Sequence, residues 1–144
     1  TATIRYGNQK AGKSWGSMTE SSQQRKWVRE EVVILVTEYF RTKNFAPKEI
    51  EENYQRISDF LRKREKRLTA VPISGVFRNY AGIRLQSGRI RCLDPETHYT
   101  GMQGTKLQRE IVQEYLDDPN KMIEEAEAIY AKYQSCIDDY NEDV

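Results

Sequence analysis

The chain has 144 residues, of which 38% are hydrophobic and 31% charged, with a formal net charge of +1, two cysteines and a single histidine. That length supports one domain that folds without staples, and the longest apolar run, residues 32–36, falls far short of the roughly 18 that a membrane span needs. Cys92 and Cys136 form no Cys-x-x-Cys pair and no disulfide framework, and a lone His98 excludes His-Cys metal clusters, two-histidine metal helices and most nucleophile–base pairs.

Residues 1–22 are rich in Gly, Ser, Lys and Gln and carry too little apolar surface to fold alone. They read as a flexible arm ahead of a helical binding domain over 23–140, with 141–144 as a frayed tail. Within the arm, Gly7-Asn8-Gln9-Lys10-Ala11-Gly12-Lys13-Ser14 fits the phosphate-loop pattern, which would place Lys13 on a terminal phosphate and Ser14 on magnesium. The surroundings argue against it. Trp15-Gly16-Ser17-Met18-Thr19 has no apolar helical periodicity, and the one candidate strand ending in Asp, residues 90–94, carries Arg91 inside it. Nucleotide binding through this loop is therefore the least favoured reading. The start at Thr1 shows no charged segment followed by an apolar core, which reads as a cytoplasmic protein.

Ser21 or Ser22 offers an N-cap for a first helix to about Arg41, with Val28, Val32, Leu35, Val36 and Tyr39 at helical spacing. Pro47 suits the first turn of a second helix, Glu49, Glu51 and Glu52 favour its N-terminal dipole, and Ile50, Tyr54, Ile57 and Leu61 share a face. Residues 71–75 break that pattern. A short third helix is expected from about Asn79 to Ser87, with Ile83 inward and Gly88 as its stop; strand is the alternative, because Gly82 weakens a helix. Thr105-Lys106-Leu107-Gln108 has the capping-box form for a fourth helix bearing Leu107, Ile111 and Tyr115. Asp118-Pro119-Asn120 then starts a fifth, with Ile123, Ala126, Tyr130, Tyr133 and Ile137 at helical spacing. The fold class is all-α, a compact bundle of about five helices with a helix-turn-helix-like central part.

Charge is unevenly spread. Arg62, Lys63, Arg64, Lys66, Arg67, Arg78, Arg84, Arg89, Arg91 and Lys106 face only Glu65, Asp94 and Glu96 in the same stretch, whereas acids dominate from Glu114 onward. Positive charge near residues 62–67 is also what a helix C-terminus attracts. The second half interleaves its cations with Asn79, Tyr80 and Gln86, groups able to stack on bases or to bond their edges, while Arg binds phosphate or guanine with a planar fork. These ten cations with Asn79, Tyr80 and Gln86 are the candidate DNA-binding set.

The order of residues is more specific than their charge. Trp27-Val28-Arg29-Glu30-Glu31 leads a helix, Arg78-Asn79-Tyr80-Ala81-Gly82-Ile83-Arg84-Leu85-Gln86-Ser87-Gly88-Arg89-Ile90-Arg91-Cys92-Leu93-Asp94-Pro95 follows, and Gly101-Met102-Gln103-Gly104-Thr105-Lys106-Leu107-Gln108-Arg109-Glu110 comes last. This order resembles the N-terminal helical domain of bacterial restriction-type HNH endonucleases, over residues 27 to about 115. There the pattern runs Trp-Thr-x-Glu-Glu, then Arg-[Ser/Thr]-x-[Gly/Ser]-Ser-Ile-x-x-Lys-Leu-x-Asn-Phe-x-x-Leu-Asp-Pro, then Gly-Leu-x-Gly-x-Ser-Lys-Leu-Asp-Arg-Glu. Gln86, Ser87, Arg89 and Ile90 depart from it, standing where the family has Lys, Leu, Asn and Phe.

The resemblance implies a DNA-facing accessory module of a restriction or phage-defence protein, engaged in target or modified-DNA recognition. It does not imply cleavage, since an HNH site needs a histidine base and metal ligands beyond one His98. DNA is thus the expected partner, with a nuclease subunit or another protein of a defence complex as the alternative. No cofactor, metal or membrane is expected.

Overall fold

The computed structural model describes residues 25–134. These form five helices, α1 (Arg29–Thr42), α2 (Pro47–Thr69), α3 (Tyr80–Leu93), α4 (Lys106–Asp117) and α5 (Pro119–Lys132), with no strand among the described residues. The chain is all-α, as its periodicity implies. The arm with its phosphate-loop match, the cap candidates Ser21 and Ser22, Cys136, Ile137 and the tail lie outside the described residues. No described helix is long and apolar enough to cross a membrane.

The apolar run at 32–36 has a structural purpose. Val32, Val33, Ile34, Leu35 and Val36 are all fully buried, which requires a helix covered on every side. α1 is that helix: α2, α3, α4 and α5 all pack against it. Ile57, Phe60 and Leu61 of α2, Ile83 and Ile90 of α3, Ile111 and Val112 of α4, and Met122, Ala126 and Ile129 of α5 complete the core.

α1 starts at Arg29, later than a cap at Ser21 or Ser22 would place it, because Glu31 closes its first turn. The Glu31 carboxylate accepts a hydrogen bond from the Val28 backbone N–H at 3.1 Å, and residues 25–28 are non-helical. Val28, expected inward, is consequently exposed. α2 begins on Pro47 as anticipated, and the Glu49 carboxylate accepts from the Ala46 N–H.

α3 corrects the reading of Gly88. Asn79 caps the helix, its side chain accepting from the Gly82 N–H at 2.8 Å, but α3 then runs through Gly88 to Leu93. Met102 packs over Gly88 so closely that a Cβ there would lie 2.8 Å from its sulfur. Gly88 therefore serves a close approach and not a helix stop. The strand alternative falls with it, including the strand ending at Asp94 that a phosphate-loop fold would use.

α4 carries the anticipated capping box: Thr105 Oγ1 accepts from the Gln108 N–H at 3.1 Å and Gln108 Oε1 from the Thr105 N–H at 3.0 Å. In α5, Asp118 accepts from the Lys121 N–H. The inward face of α5 is Met122, Ala126 and Ile129, leading to Tyr133, so Ile123 turns to solvent instead.

α2 and α3 run antiparallel, with Arg62 near Phe77, Ser58 near Arg78, and the Tyr54 and Tyr80 ring centroids 6.0 Å apart. Residues 70–79 connect them, a longer join than the three or four residues of a DNA-binding helix-turn-helix. The likeness to that motif lies in the paired helices and not in their connection.

Candidate functional site

The cations of residues 62–106 separate into two groups once their partners are known. Arg78 belongs to the interior. Its Nε and Nη2 donate to the two carboxylate oxygens of Glu31 at 2.9 and 3.0 Å, and its guanidinium carbon lies 4.3 Å from the Trp27 ring centroid and 4.4 Å from that of Phe77. Arg25 donates to the same carboxylate and to Glu65. Burial pushes the Glu31 carboxyl up, but bonds from Arg78 and Arg25 outweigh it and hold the group below the ordinary carboxylate range.

Arg64 is buried too. It donates to Glu30 at 2.7 Å, and Glu30 also accepts from the Tyr133 hydroxyl and from Lys132. Arg62 donates to the carbonyl oxygens of Ser74 at 3.0 Å and Phe77 at 2.6 Å, pinning the α2–α3 connection. Arg89 donates to the Gln103 carbonyl at 3.0 Å, Gln86 accepts from Gln108 at 2.7 Å, and Asn79 is the α3 cap. Lys63 and Arg67 also have partners within the chain. Part of the acidic C-terminal half is spent likewise, since Glu114 and Glu125 grip Arg29 at 2.7 and 2.8 Å.

Arg84, Arg91, Lys66 and Lys106 remain exposed, and none of their side chains makes a hydrogen bond or ion pair to a described residue. Arg84 and Arg91 lie two helical turns apart on α3, about 10 Å along its axis. Their charges both reach the hydroxyl of Tyr54 on α2, and the ring of Tyr80 packs against that of Tyr54. Burial, followed by the neighbouring Tyr80 hydroxyl, raises the Tyr54 pKa against the pull of the two arginines, so this phenol stays neutral and able to donate. Arg91 also stacks over Tyr99 at 4.2 Å. Lys66 is on the far part of α2 beside residues 70–73, and Lys106 is on the first turn of α4.

Beside this edge opens a cleft of about 400 Å³ between the end of α1, the first half of α2 and α3. Tyr39, Tyr54, Ile50 and Ile57 supply its rings and aliphatic groups, and Lys43, Asn53, Ser87 and Arg91 its polar atoms. Asp94 is buried behind it, accepting from the Tyr39 hydroxyl at 2.8 Å, from Lys43 at 2.9 Å and from the Glu96 N–H at 2.9 Å. Tyr54, Lys43 and Ser87 were absent from the candidate set drawn on charge. Helical spacing marks Tyr54 only as a core residue, and Lys43 lies outside the basic segment. Among the described residues no group of three or more His, Cys, Asp or Glu is placed to hold a metal ion.

The residues that carry the sequence resemblance turn out to hold the fold. Glu31 meets Arg78, Asp94 ties the end of α3 to α1, and Gly104 sits so close under Leu93 that a Cβ would lie 2.6 Å from its Cδ1. Arg109 donates to the Gly104 carbonyl at 2.8 Å. Comparison with family models, with curated proteins and with solved structures finds no match for this chain.

Proposed function

We propose that the chain is a non-catalytic DNA-binding module of a bacterial restriction or phage-defence system, contacting DNA along the exposed edge of α3. One observation carries this reading. In a domain that commits Arg25, Arg29, Arg62, Arg64 and Arg78 to its own carboxylates and carbonyls, Arg84 and Arg91 stand exposed two turns apart on α3, near Tyr80 and Tyr54. Their separation along the helix spans about three base-pair steps of a duplex. Lys66 and Lys106 add positive potential without specificity. The restriction or defence setting comes from the order of residues that resembles the HNH-associated domain. Fluorescence anisotropy with a labelled duplex tests the reading: affinity falls linearly in log–log form with salt, because each cation–phosphate contact releases counterions. Absence of binding at low salt removes it.

A protein partner within a defence complex is the second reading. Leu68, Val71 and Val76 are exposed at 54%, 42% and 63% as the chain leaves α2 and crosses toward α3. Apolar groups gathered at a surface favour a protein contact. A stoichiometric partner that survives nuclease treatment and is lost in Val76→Ser would favour this reading over DNA.

A further inference from the structure

We infer that the cleft between α1, α2 and α3 binds one nucleotide unit, its phosphate on Arg91 and its base against Tyr54 and the aliphatic wall. The inference rests on the proposed DNA-facing edge only for the source of that nucleotide.

Several polar atoms of the cleft face its open space without a partner among the described residues. Ser87 is 3% exposed, yet its hydroxyl bonds to no described residue and opens on the cleft. A buried hydroxyl in a helix ordinarily returns a bond to the preceding turn, as Thr42 does to the Glu38 carbonyl at 2.7 Å. Asn53 is 2% exposed, and its Oδ1 accepts from both Arg41 and Arg56. That fixes the orientation of its amide, whose NH₂ donates to no described group. The Tyr54 hydroxyl and the Arg91 guanidinium are likewise without a hydrogen-bonding partner among the described residues.

All four groups can donate, and the Asn53 NH₂ and the Arg91 guanidinium can do nothing else, which favours a ligand rich in acceptors. The acids nearby do not compete. Asp94 is turned to Tyr39 and Lys43, and Glu96 is bound to Lys43, so both carboxylates are engaged there and Arg91 is the cation of the cleft that bonds to no described carboxylate. The volume exceeds what a bare phosphate fills and falls in the range of small-molecule pockets. Ile50, Ile57 and the Tyr54 ring provide the apolar surface that a planar base needs. Phosphate, hydroxyl and base acceptors with one flat apolar face describe a nucleotide.

Such a unit has two sources, a nucleotide rotated out of the duplex lying on α3 or a free mononucleotide. A duplex containing 2-aminopurine distinguishes them, because that base brightens when it leaves the stack. Duplex binding is read by anisotropy, and calorimetry with the four deoxynucleoside monophosphates covers the free source. The expected result is a rise in 2-aminopurine fluorescence at saturating protein, lost in Ser87→Leu, which fills the cleft. Arg91→Gln, at an exposed position that leaves folding intact, should weaken mononucleotide binding about tenfold or more; it decides the matter if Ser87→Leu does not fold. Duplex binding with neither a fluorescence rise nor mononucleotide binding overturns the cleft and leaves the DNA module standing. Mononucleotide binding that depends on Arg91, without duplex binding, supports the cleft and removes the DNA module. If neither probe binds, both fall.

Discussion

Arg78 and Glu31, 47 residues apart in sequence, form a two-pronged ion pair of 2.9 and 3.0 Å in which both side chains are buried. Arg78 takes a left-handed backbone, φ +45°, to do so, a conformation that costs a non-glycine residue energy. Its carbonyl is held at the same time by the Ser58 hydroxyl at 2.7 Å. The pair thus joins the start of α1 to the entrance of α3, and places the edge that carries Arg84 and Arg91.

Removing one member should therefore unfold the domain more readily than any surface change. Arg78→Ala is expected to cost about 3 kcal/mol, at the low end for breaking a buried pair because Arg25 still faces Glu31. Replacing both, as Glu31→Leu with Arg78→Met, should cost less than the sum of the single changes, since no charge is left stranded. Urea denaturation midpoints measure this. A loss in Arg78→Ala no larger than that of an average surface substitution would contradict the buried pair.

Acid should weaken the domain through the same carboxylates. Burial raises the pKa of Glu31, Glu30 and Asp94, but bonds from Arg78 and Arg25, from Arg64, and from Lys43 respectively bring each below its ordinary value. A lowered folded-state pKa contributes stability that is present above the unfolded value, about 4, and is lost as pH falls through the folded one. Alkali acts in the opposite sense through Tyr39, whose pKa is raised first by burial and then by its bond to Asp94. That contribution is complete below the unfolded value of about 10 and is lost as pH rises through the folded one. Urea midpoints between neutrality and pH 3 should decline, less steeply in Glu31→Gln; above pH 10 they should decline less steeply in Tyr39→Phe.

Local signals gave much of the architecture. Pro47, the Thr105–Gln108 box and Asp118 mark helix starts because capping is settled within one turn. Partnerships across the chain leave no such mark. Nothing in spacing distinguishes Arg78, which is buried on Glu31, from Arg84, which faces solvent. Gly88 looks like a helix stop because glycine favours that role, and only the packing of Met102 from the following loop shows otherwise. Tyr54 fits the apolar period of α2, yet its hydroxyl feels the charges of both Arg84 and Arg91, which requires two helices to be brought together first.

Two glycines differ in what they tolerate. Gly104→Ala would drive a methyl to 2.6 Å from Leu93 Cδ1 and 3.0 Å from its Cγ. With Leu93 packed against the core, about 1–3 kcal/mol should be lost to overpacking. Gly88→Ala meets mainly the Met102 sulfur, the far part of a flexible side chain, and gains about 1 kcal/mol of helix propensity. The second change should be close to neutral. Thermal melts of the two variants give the comparison directly, and equal losses would show that Met102 is as fixed as Leu93.

Stability and DNA affinity should respond to different arginines. Arg64 is buried, bonds the partly exposed Glu30 and lies against the Tyr133 ring at 5.2 Å, so Arg64→Ala leaves a carboxylate short of its main partner and opens packing around α5. It should lower the urea midpoint, and any folded protein that remains should keep the salt dependence of DNA binding. Arg84→Ala removes no internal bond, so its midpoint should stay within about 0.5 kcal/mol of the parent in stability. What it should lose is one phosphate contact, seen as weaker binding on every sequence and a decrease of about 1 in the slope of log affinity against log salt. Measuring midpoint and slope on both variants separates the cations that build the fold from those that face a partner. An unchanged slope in Arg84→Ala alongside a reduced slope in Arg64→Ala would reverse the assignment, placing the anion-binding face on the α1–α2–α5 side of the bundle instead of along α3.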